Sequence, residues 1–227
     1  MAAVTGINFL PMTDMAPRKT FHHWSEDFDL YIATSWVITE TGSGTRAIAQ
    51  AKDGIFVITD AAGGTDSNAL QLRDVASGQV AEHWKFASGK RLYFGACFKV
   101  SDVLLSDWVM GLQITDTTPK AVSDGIWFQH ASSATVSAAD FHVAASSAQS
   151  DLTAAIPMVN DTYTVLEFYY DGVTSAITAY KDGVAVGSLP LTNAPSHTLV
   201  LSIYIGNGEA VAKSMSIDWI EIIQERG

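Results

Sequence analysis

The stretch at residues 160–191, NDTYTVLEFYYDGVTSAITAYKDGVAVGSLPL, leaves few folds open. It is punctuated by Asp171-Gly172 and Asp182-Gly183. Asp-Gly suits a tight turn, because glycine takes positive φ at no steric cost and aspartate hydrogen-bonds its own backbone. Around those turns stand Tyr163, Val165, Phe168, Tyr169, Ile177, Tyr180, Val184 and Val186. Such β-branched and aromatic side chains suit a pleated, half-buried surface. With a period of two, Leu166, Phe168 and Tyr170 share one face, and Val165, Glu167 and Tyr169 share the other. The spacing predicts an antiparallel meander.

The remainder carries the same signature. Strand-like runs at residues 55–59, 69–72, 80–86, 91–100, 108–115, 125–130, 198–205 and 214–224 alternate with turn residues. Short strands recurring about every 8–12 residues predict a sandwich. Residues 131–155 are rich in alanine and serine, and pattern alone separates neither helix nor strand there. One strand over residues 141–143, followed by a loop, is the expectation.

The order "aromatic strand, Asp-Gly, strand, Lys-Asp-Gly, strand", closed by residues 214–224 (SMSIDWIEIIQ), resembles the concanavalin A-like lectin/glucanase sandwich, laminin-G-like domains included. The resemblance covers residues 91–224. It implies an all-β, antiparallel two-sheet jelly roll. The opening order is a Trp36 strand, a Gly-rich turn at residues 41–45, Asp53-Gly54, an aliphatic strand and a Gly-Gly-Thr-Asp loop. This is similar to laminin-G-like proteins encoded near the capsid genes of tailed bacteriophages.

Residues 1–24 read as an extended N-terminal arm and residues 25–227 as one jelly-roll domain. Pro11 and Pro17 break any periodicity in the arm, and Arg18, Lys19, His22 and His23 make its end basic. The chain as a whole carries −11, from 24 acidic and 13 basic residues. That balance speaks against nucleic acid, where phosphates need clustered Lys and Arg. No run reaches the length of a membrane-spanning helix, and no secretory signal is evident, so synthesis in a host cytoplasm is expected. The single cysteine, Cys97, sits in an apolar run and reads as a small buried hydrophobe.

The sharpest catalytic pattern lies at Ser216-Ile217-Asp218-Trp219-Ile220-Glu221. Some glycosidases of the resembled fold carry Glu-x-Asp-x-Glu, or a bulged Glu-x-Asp-x-x-Glu, on one strand. Their chemistry needs two carboxylates flanking the scissile bond. Asp218 and Glu221 match the last two positions of the bulged form, but Ser216 stands at the nucleophile position. In an unbulged strand Asp218 and Glu221 also face opposite sides. Glu167 reads as an acid on the solvated face, or as one lining a ligand surface. No cofactor is expected: calcium would belong in the acidic loops at residues 60–66 or 116–124, yet neither carries dense, regularly spaced oxygen ligands. No histidine or cysteine spacing suits zinc.

These readings lead to a non-enzymatic capsid decoration, or cement, protein on the exterior of a phage virion. Its partner would be the major capsid protein, with the chain a homo-oligomer there. Phe9, Leu10, Met12, Met15, Arg18 and Lys19 of the arm would make the contacts. The alternative is a lectin-like module whose glycan-facing aromatics would be Trp108, Trp127, Tyr169 and Tyr204.

Overall fold

The structure, a computed structural model, describes residues 20–50, 54–73 and 83–226. Its strands run β1 (Phe21–Glu26), β2 (Trp36–Thr41), β3 (Gly44–Gln50), β4 (Ile55–Asp60), β5 (Ser67–Leu72), β6 (Trp84–Lys85), β7 (Leu92–Val100) and β8 (Ser106–Gln113). They continue with β9 (Gly125–His130), β10 (Ala138–Ala145), β11 (Ala148–Pro157), β12 (Thr164–Tyr170), β13 (Ala176–Lys181), β14 (Val184–Pro190), β15 (Thr198–Asn207) and β16 (Ser214–Glu225). The first sheet has the order β14-β13-β12-β7-β16-β4-β3, and β1 shares with β4 one flank of β16. The second has the order β11-β10-β9-β8-β15-β5-β2, with β6 on β15. The neighbours pair antiparallel, so this is an all-β jelly-roll sandwich as the pattern predicts.

Alternation builds the core. Leu92, Phe94, Ala96, Phe98 and Val100 of β7 point inward, as do Leu166, Phe168 and Tyr170 of β12. From the second sheet Trp108, Met110, Leu112, Ile126 and Phe128 meet them. Phe94 stacks on Phe168 at 5.0 Å, and the Trp108 ring meets Phe98 edge-on at 5.2 Å. Truncating a ring such as Phe168 to alanine costs about 3–5 kcal/mol, because the packed surroundings collapse only partly into the void.

Three expectations change here. The strand β1 starts at Phe21, inside the span read as arm, because its six residues pair with β16 from Glu225 to Ile220. A ten-residue strand, β11, stands where a Ser/Ala loop was expected after residues 141–143. Asp171-Gly172 opens a longer link rather than a two-residue turn: Asp171 Oδ1 accepts from the amides of Val173 and Thr174, both at 2.8 Å. Asp182-Gly183 is the tight turn, with φ of 50° and 75°.

Candidate functional site

The outer face of the first sheet is shaped by a bulge in β16. Ile217 pairs with Phe98 and Trp219 with Cys97, so Asp218 is an extra residue without a partner. Met215 and Ile217 point inward before it, and Ile220 and Ile222 after it. The bulge therefore turns Trp219 and Glu221 outward. Asp218 lies with them, against the Cys97 thiol and near Tyr163. An unbulged strand would set Asp218 and Glu221 on opposite sides; here the inserted residue resets the parity.

Pairing then lines up one row across five strands: Ser25, Glu221, Gly95, Glu167, Tyr180. The Glu221 and Glu167 backbones flank β7, two strand spacings or about 9.6 Å apart. Between them Gly95 presents no side chain. A Cβ there would run into the Tyr93 hydroxyl and the Trp219 ring. Tyr93 donates to Glu167 Oε1 at 2.8 Å, and His23 Nε2 donates to Glu221 Oε1 at 2.9 Å. Burial, then the charges of Glu167 and Glu221, hold the Tyr93 hydroxyl well above the usual phenol range, so it stays a proton donor. Beside Glu221 a cleft of about 250 Å³ is lined by Ser25, Asp27 and Trp219. Burial and neighbouring Asp218 push the Cys97 thiol up to about 12, which leaves it unreactive.

Of the four aromatics expected to face a glycan, only Tyr169 lies on this surface, opposite Tyr93 on the adjacent strand. Trp108 is corrected: it points between the sheets and is wholly buried. Trp127 and Tyr204 sit on the outer face of the second sheet. There Trp127, 2% exposed, stacks on His142 at 5.0 Å and packs with Val109, Val122 and Ala144. Its ring is covered and unavailable to a sugar. The arm residues Phe9, Leu10, Met12, Met15, Arg18 and Lys19 lie outside the described residues. Tyr93, Gly95 and Trp219 were missed, and only the bulge brings Trp219 to this face.

Among the described residues no group of three or more His, Cys, Asp or Glu side chains gathers as a metal cage. Asp60 instead ends a buried chain, accepting from Asn68, whose amide oxygen accepts from Arg46. Burial lifts the Asp60 carboxyl to about 6.

No protein-family model matches this chain, and no curated protein matches it. Solved structures do. The carbohydrate recognition domain of Emp47p is 9% identical, with a TM-score of 0.59 over 91% of this chain and 98% of its own. A β-1,3-1,4-glucanase (lichenase) from a mouse hindgut metagenome is 16% identical, with a TM-score of 0.57 over 88% and 98%. An endo-β-1,4-glucuronan lyase from Trichoderma reesei is 10% identical, with a TM-score of 0.56 over 88% and 94%. At such identities the likeness shows the fold: the concanavalin A-like lectin/glucanase jelly roll. The expectation of a non-enzymatic chain is corrected to this extent: a lichenase and a lyase are built on this same sandwich, so the fold gives no ground for excluding an enzyme. The steric objection to paired carboxylates on β16 has gone as well.

Proposed function

We propose that the chain binds a carbohydrate on the outer face of the first sheet, with Glu167 and Glu221 as the polar centre. The observation that carries this is their facing across Gly95, with the Tyr93 hydroxyl and Trp219 ring between them. Sugar hydroxyls donate to carboxylates, and their C–H faces lie well against an indole. Asp218, Glu167 and Glu221 make the face acidic, which favours a neutral sugar over a polyuronate. Lectin-like folds among the compared structures fit the reading in general terms.

Cleavage is the second reading, favoured by the same pair. Carboxylates about 6.5–9.5 Å apart suit inversion, one as general acid and one activating water. The backbone separation of about 9.6 Å lets Glu167 and Glu221 reach that range. Ser216 cannot supply the carboxylate nucleophile that the bulged motif uses for retention.

The test is binding to neutral oligosaccharides, β-1,3-1,4-glucan fragments among them, with polyglucuronate as charged control and reducing-end release measured in parallel. Loss of binding in Glu221→Gln or Trp219→Ala supports the site. Unchanged binding in both variants sinks it. Capsid clamping by the arm, the first expectation from the sequence, is tested by co-sedimentation with capsid shells.

A further inference from the structure

A second cleft, of about 540 Å³, opens where β1 and β6 meet at one end of the sandwich, and it has the opposite charge. The His22 ring of β1 stacks on Trp84 of β6 at 5.6 Å with the planes 9° apart, and the His83 ring meets His22 edge-on at 5.9 Å. Lys85, Lys90 and Arg226 complete the lining. The chain has 24 acidic against 13 basic residues, yet this wall carries three permanent cations and two imidazoles. Its one carboxylate, Glu225, is held by Arg91 Nε at 3.1 Å.

The cations are fixed by their backbones. Lys85 and Gln224 bond reciprocally: the Lys85 amide donates to Gln224 Oε1, and Gln224 Nε2 donates to the Lys85 carbonyl. The Lys90 amide closes a turn on the Ala87 carbonyl at 3.1 Å. The Arg226 amide donates to the Thr20 carbonyl at 2.8 Å and its Nε to the Phe21 carbonyl at 3.2 Å, and among the described residues the two terminal guanidinium nitrogens have no hydrogen-bond partner. Glu225, held by Arg91, also feels the charge of Lys90. Burial, then the charges of His83, Arg226 and His23, hold His22 below the usual imidazole range. Among the described residues that line the cleft, three permanent cations and two imidazoles stand against one carboxylate, Glu225.

We propose that this cleft binds a doubly charged oxyanion, a phosphate or sulfate group. A guanidinium fork and two ammonium groups give a tetrahedral oxyanion charge-assisted hydrogen bonds on several oxygens at once. The volume exceeds what the group alone fills, so there is room for the molecule that carries it.

The full chain, isotope-labelled, is titrated at low salt with inorganic phosphate, then with a sulfated polysaccharide, while the His22 and His83 imidazoles are followed. The expected result is a saturable shift at both rings and a rise in the His22 midpoint by about half a pH unit or more. The pair Lys85→Gln and Lys90→Gln, at an exposed and a half-buried position outside the core, is expected to weaken binding about tenfold or more. Saturation by the polymer alone supports the proposal with a polymeric carrier, and saturation by phosphate supports a free or small-molecule source. No saturable response to either up to about 20 mM overturns it. So does binding that the double variant leaves unchanged.

Discussion

The Tyr93 hydroxyl donates to Glu167 Oε1 at 2.8 Å directly above Gly95, with Glu221 on the far side of the same strand. The bond fixes one carboxylate of the proposed glycan face, and the missing side chain at Gly95 leaves room for it. Tyr93→Phe keeps the ring and removes the donor, so Glu167 is freed to swing. The expected effect is a loss of about 1 kcal/mol in glycan affinity. Isothermal titration calorimetry measures it, and a melting curve checks that the fold is kept.

Filling the gap is a sharper intervention. Gly95→Val places methyl groups where the Tyr93 hydroxyl and Trp219 ring now sit. Both must move, at a cost of about 1–3 kcal/mol in stability. Glycan binding should vanish while far-UV circular dichroism stays that of a β-sandwich.

At alkaline pH Tyr93 becomes a stability determinant. Its folded-state value lies above the unfolded phenol near 10, so above that pH the unfolded chain has lost a proton that the folded chain keeps. Stability should therefore fall as pH climbs past about 10, and Tyr93→Phe should flatten that fall. Denaturant midpoints of the two proteins between pH 8 and 11 read it out.

Asp60 acts at the acid end. Its carboxyl is raised to about 6, so the stability linked to its protonation is full below the unfolded value near 3.9 and is lost as pH rises through about 6. Asp60→Asn keeps an acceptor for Asn68 and removes the buried charge. The variant should match or exceed the parent at pH 7.5 and lose the slope between pH 4 and 6, as urea melts would show.

How far the chain was legible depends on what each stretch must do locally. Residues 164–190 declare themselves because bulky alternation and an Asp-Gly turn at residues 182–183 agree. The β10–β11 hairpin stays hidden: its turn is Ser146-Ser147, at φ of 52° and 66°, where glycine or asparagine would announce it. Its second strand is alanine-rich and largely exposed, with little hydrophobic alternation to read. Trp108 misleads because every residue of β8 is buried, so alternation cannot tell its inner from its outer face. On the site, Glu167 was placed by simple alternation, whereas Glu221 and Trp219 needed a register that the bulge at Asp218 alone creates. Bulges leave no reliable mark in composition, so half of the proposed face lay beyond the sequence.

The most direct measurement is chemical-shift mapping of the labelled full chain with the neutral oligosaccharide that binds best. The account predicts saturable shifts clustered at Gly95, Glu167, Trp219 and Glu221, lost in Glu221→Gln. Shifts confined to the outer face of the second sheet, around Trp127 and His142, or no saturable shift with any neutral oligosaccharide, would contradict it.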